Sequence, residues 1–261
     1  MSFRTIRLDV DARDVANVVL ARSEKHNAMN AEMISELAQA ARWLAEQRDL
    51  RAVVLRAEGK TFCAGGDLGW MQEQARKDRQ GKLEEALTLA RMLGLWNALP
   101  QPVIGRVQGA AYGGGLGLMA VCDHVIAEES ARFALTETRL GLIPATIGPF
   151  VVGKLGEAFA RQVFFNGRVF GPDLLLHAGM VTRAVPADAL DAAIEEEVFN
   201  YLHCAPGAVA AAKALCRDLI GRDPVEAAEF SAAALADRWE AEEAIAGIKA
   251  FFAKQEPPWK V

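Results

Sequence analysis

Val103-Ile-Gly-Arg-Val-Gln-Gly-Ala-Ala-Tyr-Gly-Gly-Gly-Leu-Gly-Leu118 begins as an apolar run, passes through a glycine cluster, and resumes as an apolar helical pattern from Leu116 to Val121. The run Val103–Val107 reads as a strand. Glycines after a strand let the backbone approach a ligand closely and adopt positive φ. Where a helix then starts, unpaired N–H groups point outward at the positive end of the dipole. Such a joint suits an anion, either a phosphate or an oxyanion developing in a reaction. The phosphate reading is weak, because Gly109…Gly113-Gly114-Gly115 fits neither GxGxxG nor GxxxxGK[ST] and no lysine follows. Close packing of helix on strand is the other reading of the same glycines.

Two more glycine segments lie on either side. Phe62-Cys-Ala-Gly-Gly-Asp-Leu68 follows the apolar run Ala52–Arg56, and Gly141-Leu-Ile-Pro-Ala-Thr-Ile-Gly-Pro149 lies downstream. Further strand-like runs are Ala16–Leu20, His124–Ala127 and Arg132–Leu135. Between strands, Asn30 is a good N-cap for a helix with Met33, Leu37, Ala40, Ala41 and Leu44 on one face. A second helix runs from about Leu83 to Leu99 and stops at Pro100. Strands alternating with helices predict an α/β fold with a mainly parallel sheet. Ligands bind at the carboxyl ends of such strands, so N–H groups of two neighbouring glycine loops are placed to converge on one oxygen.

From about Glu157 the pattern turns helical and Ala-rich: Glu157–Phe165, Pro172–Ala178, Ala187–Leu202, Pro206–Ile220 and Pro224–Ala253. Prolines 172, 206 and 224 sit where a first helical turn tolerates them. The division expected is an α/β core over 1–200 and a helical region over 201–261, packing on that core, on a neighbouring subunit, or on both.

With 261 residues, 52% hydrophobic, the chain is large enough to bury a core as one domain with an appendage or as two domains. A net charge of −5 argues against nucleic acid as the main partner. Cys63, Cys122, Cys204 and Cys216 form no CxxC pair, so a disulfide framework or zinc site is not expected and a reduced cytoplasm is the easier reading. The N-terminus lacks the apolar core of a signal peptide, and the apolar stretches around Ala110–Val121 and Ala205–Leu215 are too short to span a bilayer.

The ordered set Leu20-Ala-Arg-Ser-Glu-Lys-His-Asn-Ala-Met-Asn30, Ala64-Gly-Gly-Asp-Leu68, Pro102 through Gly115, Cys122-Asp123, Phe133-Ala-Leu-Thr-Glu-Thr-Arg-Leu-Gly-Leu-Ile-Pro144 and Gly247-Ile-Lys-Ala-Phe-Phe-Ala-Lys254 resembles the enoyl-CoA hydratase/isomerase (crotonase) family. The resemblance implies a spiral of ββα units with a C-terminal helical region, in trimers or dimers of trimers. It implies an acyl-CoA thioester as substrate, its carbonyl oxygen held by the N–H groups of Gly66 and Gly114. For the CoA moiety and neighbouring substrate it points to Lys25, His26, Ala64, Asp67, Leu68, Phe251 and Lys254. Neither a metal nor a redox cofactor is implied, the CoA thioester being the substrate itself.

Hydratases of the family carry two glutamates facing the double bond. Here the second is Glu137, whereas the first position holds Gly117. A single carboxylate in an apolar pocket, its pKa raised by desolvation, is able to take and return a proton. Hydration by one residue and isomerisation by the same residue are both open, as is a non-catalytic acyl-CoA-binding relative; a helical scaffold alone leaves the glycine clusters unexplained. Outside the family reading, Glu137 is a surface carboxylate paired with Arg132 or Arg139. Asp67-Leu-Gly-Trp-Met71, Gly113–Gly117 and Ile143–Thr146 resemble a branch acting on branched or carboxylated substrates, of which 3-methylglutaconyl-CoA is representative. For such a carboxylate Arg91 and Arg139 are available cations. Trp70 and Met71 line the acyl channel or pack their loop, Asp67 and Asp123 read as caps or turn formers, and Trp239–Glu243 reads as a solvated face.

Overall fold

The computed structural model describes residues 3–260. A six-stranded sheet runs in the order β1 (Ile6–Val10), β2 (Val15–Leu20), β3 (Ala52–Ala57), β4 (Val103–Val107), β6 (His124–Glu128), β8 (Arg183–Val185). Only β1–β2 is antiparallel; every other neighbour in this sheet is parallel. Its central strands are buried on both faces over Ala52–Leu55, Val103–Gly105 and Val125–Ala127, which is why those stretches hold only apolar residues and glycine. Val53 and Leu55 face one core, whereas Ala52 and Val54 face the other.

The first core holds α1 (Ala31–Glu46), α3 (Arg79–Asn97) and the short α4 (Gly114–Ala120). Asn30 caps α1 through Met33 N, and Met33, Leu37, Ala40, Ala41 and Leu44 form its buried face, as the spacing predicts. The second core is closed by α7 (Leu190–Leu202), with Leu190, Ile194 and Val198 against Val54, Ile104 and Ile126. A second, two-stranded parallel sheet, β5 (Ala110–Tyr112) with β7 (Arg132–Ala134), stands where the loops after β4 and β6 leave the main sheet.

Several elements differ from the sequence reading. β1, β5, β8 and α2 (Leu68–Arg76) are additional to it. Helix Glu157–Phe165 is the second half of α5 (Gly148–Phe164), kinked at Gly156. The single helix expected over Pro224–Ala253 is two, α9 (Pro224–Glu240) and α10 (Glu242–Ala253), broken at the extended backbone of Ala241 (ψ 142°). The break turns Glu243 toward α8 (Pro206–Asp218), where its carboxylate accepts from Gly207 N and pairs with Arg238. An anion there suits the positive end of that helix. Residues Trp239–Glu243 are therefore not merely a solvated face.

The helical end is tied to the core by Arg51, whose guanidinium donates to the carbonyls of Leu202, Cys204 and Trp259. Lys213 of α8 adds an ion pair to Asp123 at 2.6 Å. Between α5, α8 and the start of β4 lies a cavity of about 820 Å³, lined by Lys154, Tyr201 and Lys213 among others. No helix is long and apolar enough to cross a membrane among the described residues.

Candidate active site

The loop after β3 is held from two sides. On one, Cys63 exchanges backbone bonds with the β5 segment, its N–H donating to Ala110 O and its carbonyl accepting from Tyr112 N. On the other, Met29 N donates to Gly65 O and Asp67 N donates to Met29 O. This parallel bridge between Met29 and Gly66 uses the peptide groups on either side of Gly66 and leaves its own N–H facing the opposite way. That N–H has no acceptor among the described residues.

The second donor arises at α4. Gly113 takes φ 47° and ψ −112°, a backbone that an L side chain resists, and α4 begins at Gly114. The N–H groups of Gly114 and Gly115 have no acceptor among the described residues, as expected of a first helical turn. Gly115 is there for a different reason: a Cβ would stand 2.7 Å from Cys63 O. The cluster thus serves both the packing reading and the N–H reading, at different glycines. Gly113 lies against Gly65, whose Cα is 3.9 Å from where a Gly113 Cβ would be, so the two loops meet.

Glu137 completes the arrangement. It opens a 3-10 turn, Glu137–Leu140, just after β7. Its Oε1 lies 3.2 Å from the position of a Gly113 Cβ, and its Oε2 is buried with no hydrogen-bond partner. Burial pushes its pKa above the usual carboxylate range. Neither arginine pairs with it: Arg132 donates to the carbonyls of Ser130 and Ala131, and Arg139 lies over Gly167. At Gly117, a Cβ would meet Ile147 Cγ2 at 2.5 Å and Leu93 Cδ1 at 3.3 Å. Apolar side chains already fill the volume that a side chain at that position would need.

The remaining sequence-derived residues divide. Lys25 and His26 sit on an exposed turn beside the glycine loop: His26 O accepts from Ala64 N, and its ring approaches Thr61 Oγ1 at 3.3 Å. Lys25 has no carboxylate partner among the described residues. Asp67 spends its carboxylate elsewhere than on a ligand, accepting from Gly69 N and Trp70 N as the N-cap of α2 and pairing with Arg22 at 3.1 Å. Burial works against that charge, but these donors outweigh it and hold its pKa low. Leu68 is 78% exposed. Phe251 and the C-capping Lys254 are exposed on α10, which packs against α9.

The profile described as Enoyl-CoA hydratase/isomerase matches residues 11–261. The chain belongs to that family. A Thermus thermophilus protein that carries an enoyl-CoA hydratase name is 33% identical over 255 residues, 96% of this chain and 99% of its own. Among solved structures, an enoyl-CoA hydratase from Shewanella pealeana has a TM-score of 0.94 at 35% identity, covering 99% of this chain and 97% of the other. Pseudomonas aeruginosa AtuE has a TM-score of 0.95 at 33% identity, covering 99% and 100%. The crotonase fold expected from the resemblance is therefore the fold observed.

Within this hydratase/isomerase frame, sequence reasoning missed Arg22 and Met29 at the candidate site and Gln74 on α2. Arg22 ties the Lys25–Met29 turn to the cap of α2, donating to Ala28 O as well as to Asp67. Met29 covers Gly114, its Cε standing in the space a Cβ there would take. Gln74 lies one turn beyond Trp70 on α2; helical spacing from the Asp67 cap was the available signal.

Proposed function

We propose that the protein adds water across the 2,3 double bond of an enoyl-CoA thioester, with Glu137 as its one acid/base carboxylate. The observation that carries this reading is a pair of N–H donors without acceptors among the described residues, Gly66 and Gly114, on two loops that touch at Gly65 and Gly113, with the buried and unpaired Glu137 against Gly113. Ionised Glu137 takes a proton from water as its oxygen bonds to Cβ. The π electrons move to the thioester oxygen, and the two N–H groups stabilise that enolate. Protonated Glu137 then returns its proton to Cα, leaving the hydrated thioester and the original carboxylate.

Lys25, His26 and Ala64 are assigned to the CoA moiety, with Phe251 and Lys254 supplied by α10 of the same or a neighbouring chain. The assembly that would bring α10 into reach is a trimer or a dimer of trimers in the cytoplasm. The branched or carboxylated acyl group, with 3-methylglutaconyl-CoA as representative, rests on the resemblance of Asp67–Met71 and Gly113–Gly117. A second reading is favoured by the lone carboxylate: it would suit a proton shift between Cα and Cγ, which is isomerisation of a 3-enoyl thioester.

The test compares 3-methylglutaconyl-CoA, crotonyl-CoA and a 3-enoyl-CoA with wild type and Glu137→Gln. Water added by wild type, with the rate reduced 10²- to 10⁴-fold or so in the variant, supports hydration. A moved double bond without added water supports isomerisation. CoA esters bound with no turnover, and no difference between the two proteins, would make it a binding relative.

A further inference from the structure

Five buried side-chain polar atoms lack a hydrogen-bond partner among the described residues, and four belong to Trp70, Gln74 and Glu137: Trp70 Nε1, Gln74 Nε2, Gln74 Oε1 and Glu137 Oε2. The fifth, Gln101 Oε1, belongs to an amide whose nitrogen is already bonded to Leu44 O and Gln47 O. Interiors satisfy nearly all such groups, so these exceptions, on α2 and on the Glu137 turn, ask for a partner. Glu137 Oε2 is explained by the proton chemistry above. Trp70 and Gln74 are not.

Trp70 and Gln74 are four residues apart on α2, hence on one face of it. The Trp70 ring reaches the first donor of the site, its Cζ3 3.5 Å from where a Gly66 Cβ would be, with Met71 Cγ at 3.3 Å beside it. The face therefore starts beside Gly66 and extends about 6 Å along α2, four residues at 1.5 Å each, the reach of a short acyl chain. The apolar part of this wall, the indole and Met71, suits hydrocarbon near the reacting carbons. The polar part lies one turn further on.

We propose that Trp70 Nε1–H and the Gln74 amide form a polar acyl subsite that selects thioesters carrying an oxygen on the acyl chain. The proposal rests on the reading of Gly66 and Glu137 as the reaction site and names the substrate class that site takes. Trp70 supplies one donor and Gln74 supplies donors and an acceptor, so a hydroxyl, a carbonyl or a carboxylate oxygen is recognised through the same bonds. A hydroxyl also fills the Gln74 Oε1 acceptor, which a carboxylate leaves empty. An all-hydrocarbon chain leaves every one of these groups dry and unpaired, and a site built for a hydrogen bond rejects such an analogue strongly.

The experiment measures affinity of the full-length protein by calorimetry for three saturated five-carbon esters, pentanoyl-CoA, 5-hydroxypentanoyl-CoA and glutaryl-CoA. Wild type is compared with Trp70→Phe and with Gln74→Met. Saturated esters separate this test from turnover, so the subsite can stand if the proposed reaction falls, and the reverse. The expected result is tighter binding of one or both oxygenated esters by wild type, roughly 10- to 100-fold over pentanoyl-CoA. Preference for the hydroxyl over the carboxylate identifies a neutral substituent, and the opposite order identifies an acidic one. Each variant should shrink the ratio of oxygenated to plain affinity, a ratio in which any general loss from misfolding cancels. Equal affinity for all three esters in wild type, or an unchanged ratio in both variants, would overturn the subsite and leave Trp70 and Gln74 as water-bound packing.

Discussion

At the residue scale, the proposed chemistry depends on Glu137 being buried and unpaired. Its folded pKa is raised above the ordinary 4.5 by burial, so the folded protein disfavours the ionised form that the proposed mechanism uses. The rate should therefore fall, as pH drops, at a higher pH than an exposed glutamate would give; an acid limb at the ordinary value contradicts this. The same shift bears on stability. Below the unfolded value both states are protonated and nothing is lost; as pH rises past it and then through the raised folded value, folding becomes costlier. Glu137→Gln should thus melt higher than wild type near pH 7 and equal to it below about pH 4. At Gly117 the expectation is negative. Glutamate there meets Ile147 and Leu93, so Gly117→Glu should destabilise the fold by roughly 1–3 kcal/mol or more, without raising the hydration rate. Higher hydration activity in that variant would contradict the one-carboxylate reading. Glu137 and Gly117 were legible from motif position. The missing partner of Glu137 was not, because it depends on where Arg132 and Arg139 point.

At the scale of elements, the site is two glycine loops docked on one another and a helix that starts from one of them. Asp67 couples these parts: it follows Gly66, caps α2, and binds Arg22 at the start of the Arg22–Met29 turn. Asp67→Ala should cost about 1–2 kcal/mol of stability from the cap, read by chemical denaturation. Asp67→Asn should recover most of the cap and lose the ion pair alone. Equal loss in both would mean the charge, not the cap, matters. The strands β2, β3, β4 and β6 were readable because burial on both faces gives continuous apolar runs. β5 and β8, of three residues each, carry too little sequence for a pattern. α2 buries no residue completely, so it shows no apolar stripe, only its cap. The break between α9 and α10 comes from one extended residue, Ala241, whose type gives no warning.

On the scale of the whole molecule, one buried arginine carries much of the join between core and helical end. Arg51 is 9% exposed. Arg51→Met leaves the carbonyls of Leu202, Cys204 and Trp259 without that donor and should destabilise the protein by about 3 kcal/mol, seen first as proteolysis within residues 206–260. Beyond that join the surface is unusually apolar: Val225, Leu235, Trp239, Ile245, Phe251 and Phe252 are each at least 60% exposed. Faces of this kind are normally covered by a partner. Sedimentation should therefore give a trimer or hexamer, and a monomer at micromolar concentration would contradict that assembly. Whether Glu137 drives the addition of water is decided by product analysis in H₂¹⁸O with a 2-enoyl-CoA, wild type beside Glu137→Gln. Hydration through this carboxylate places one ¹⁸O at Cβ in wild type and loses it almost completely in the variant; ¹⁸O incorporation at an equal rate in both would contradict it.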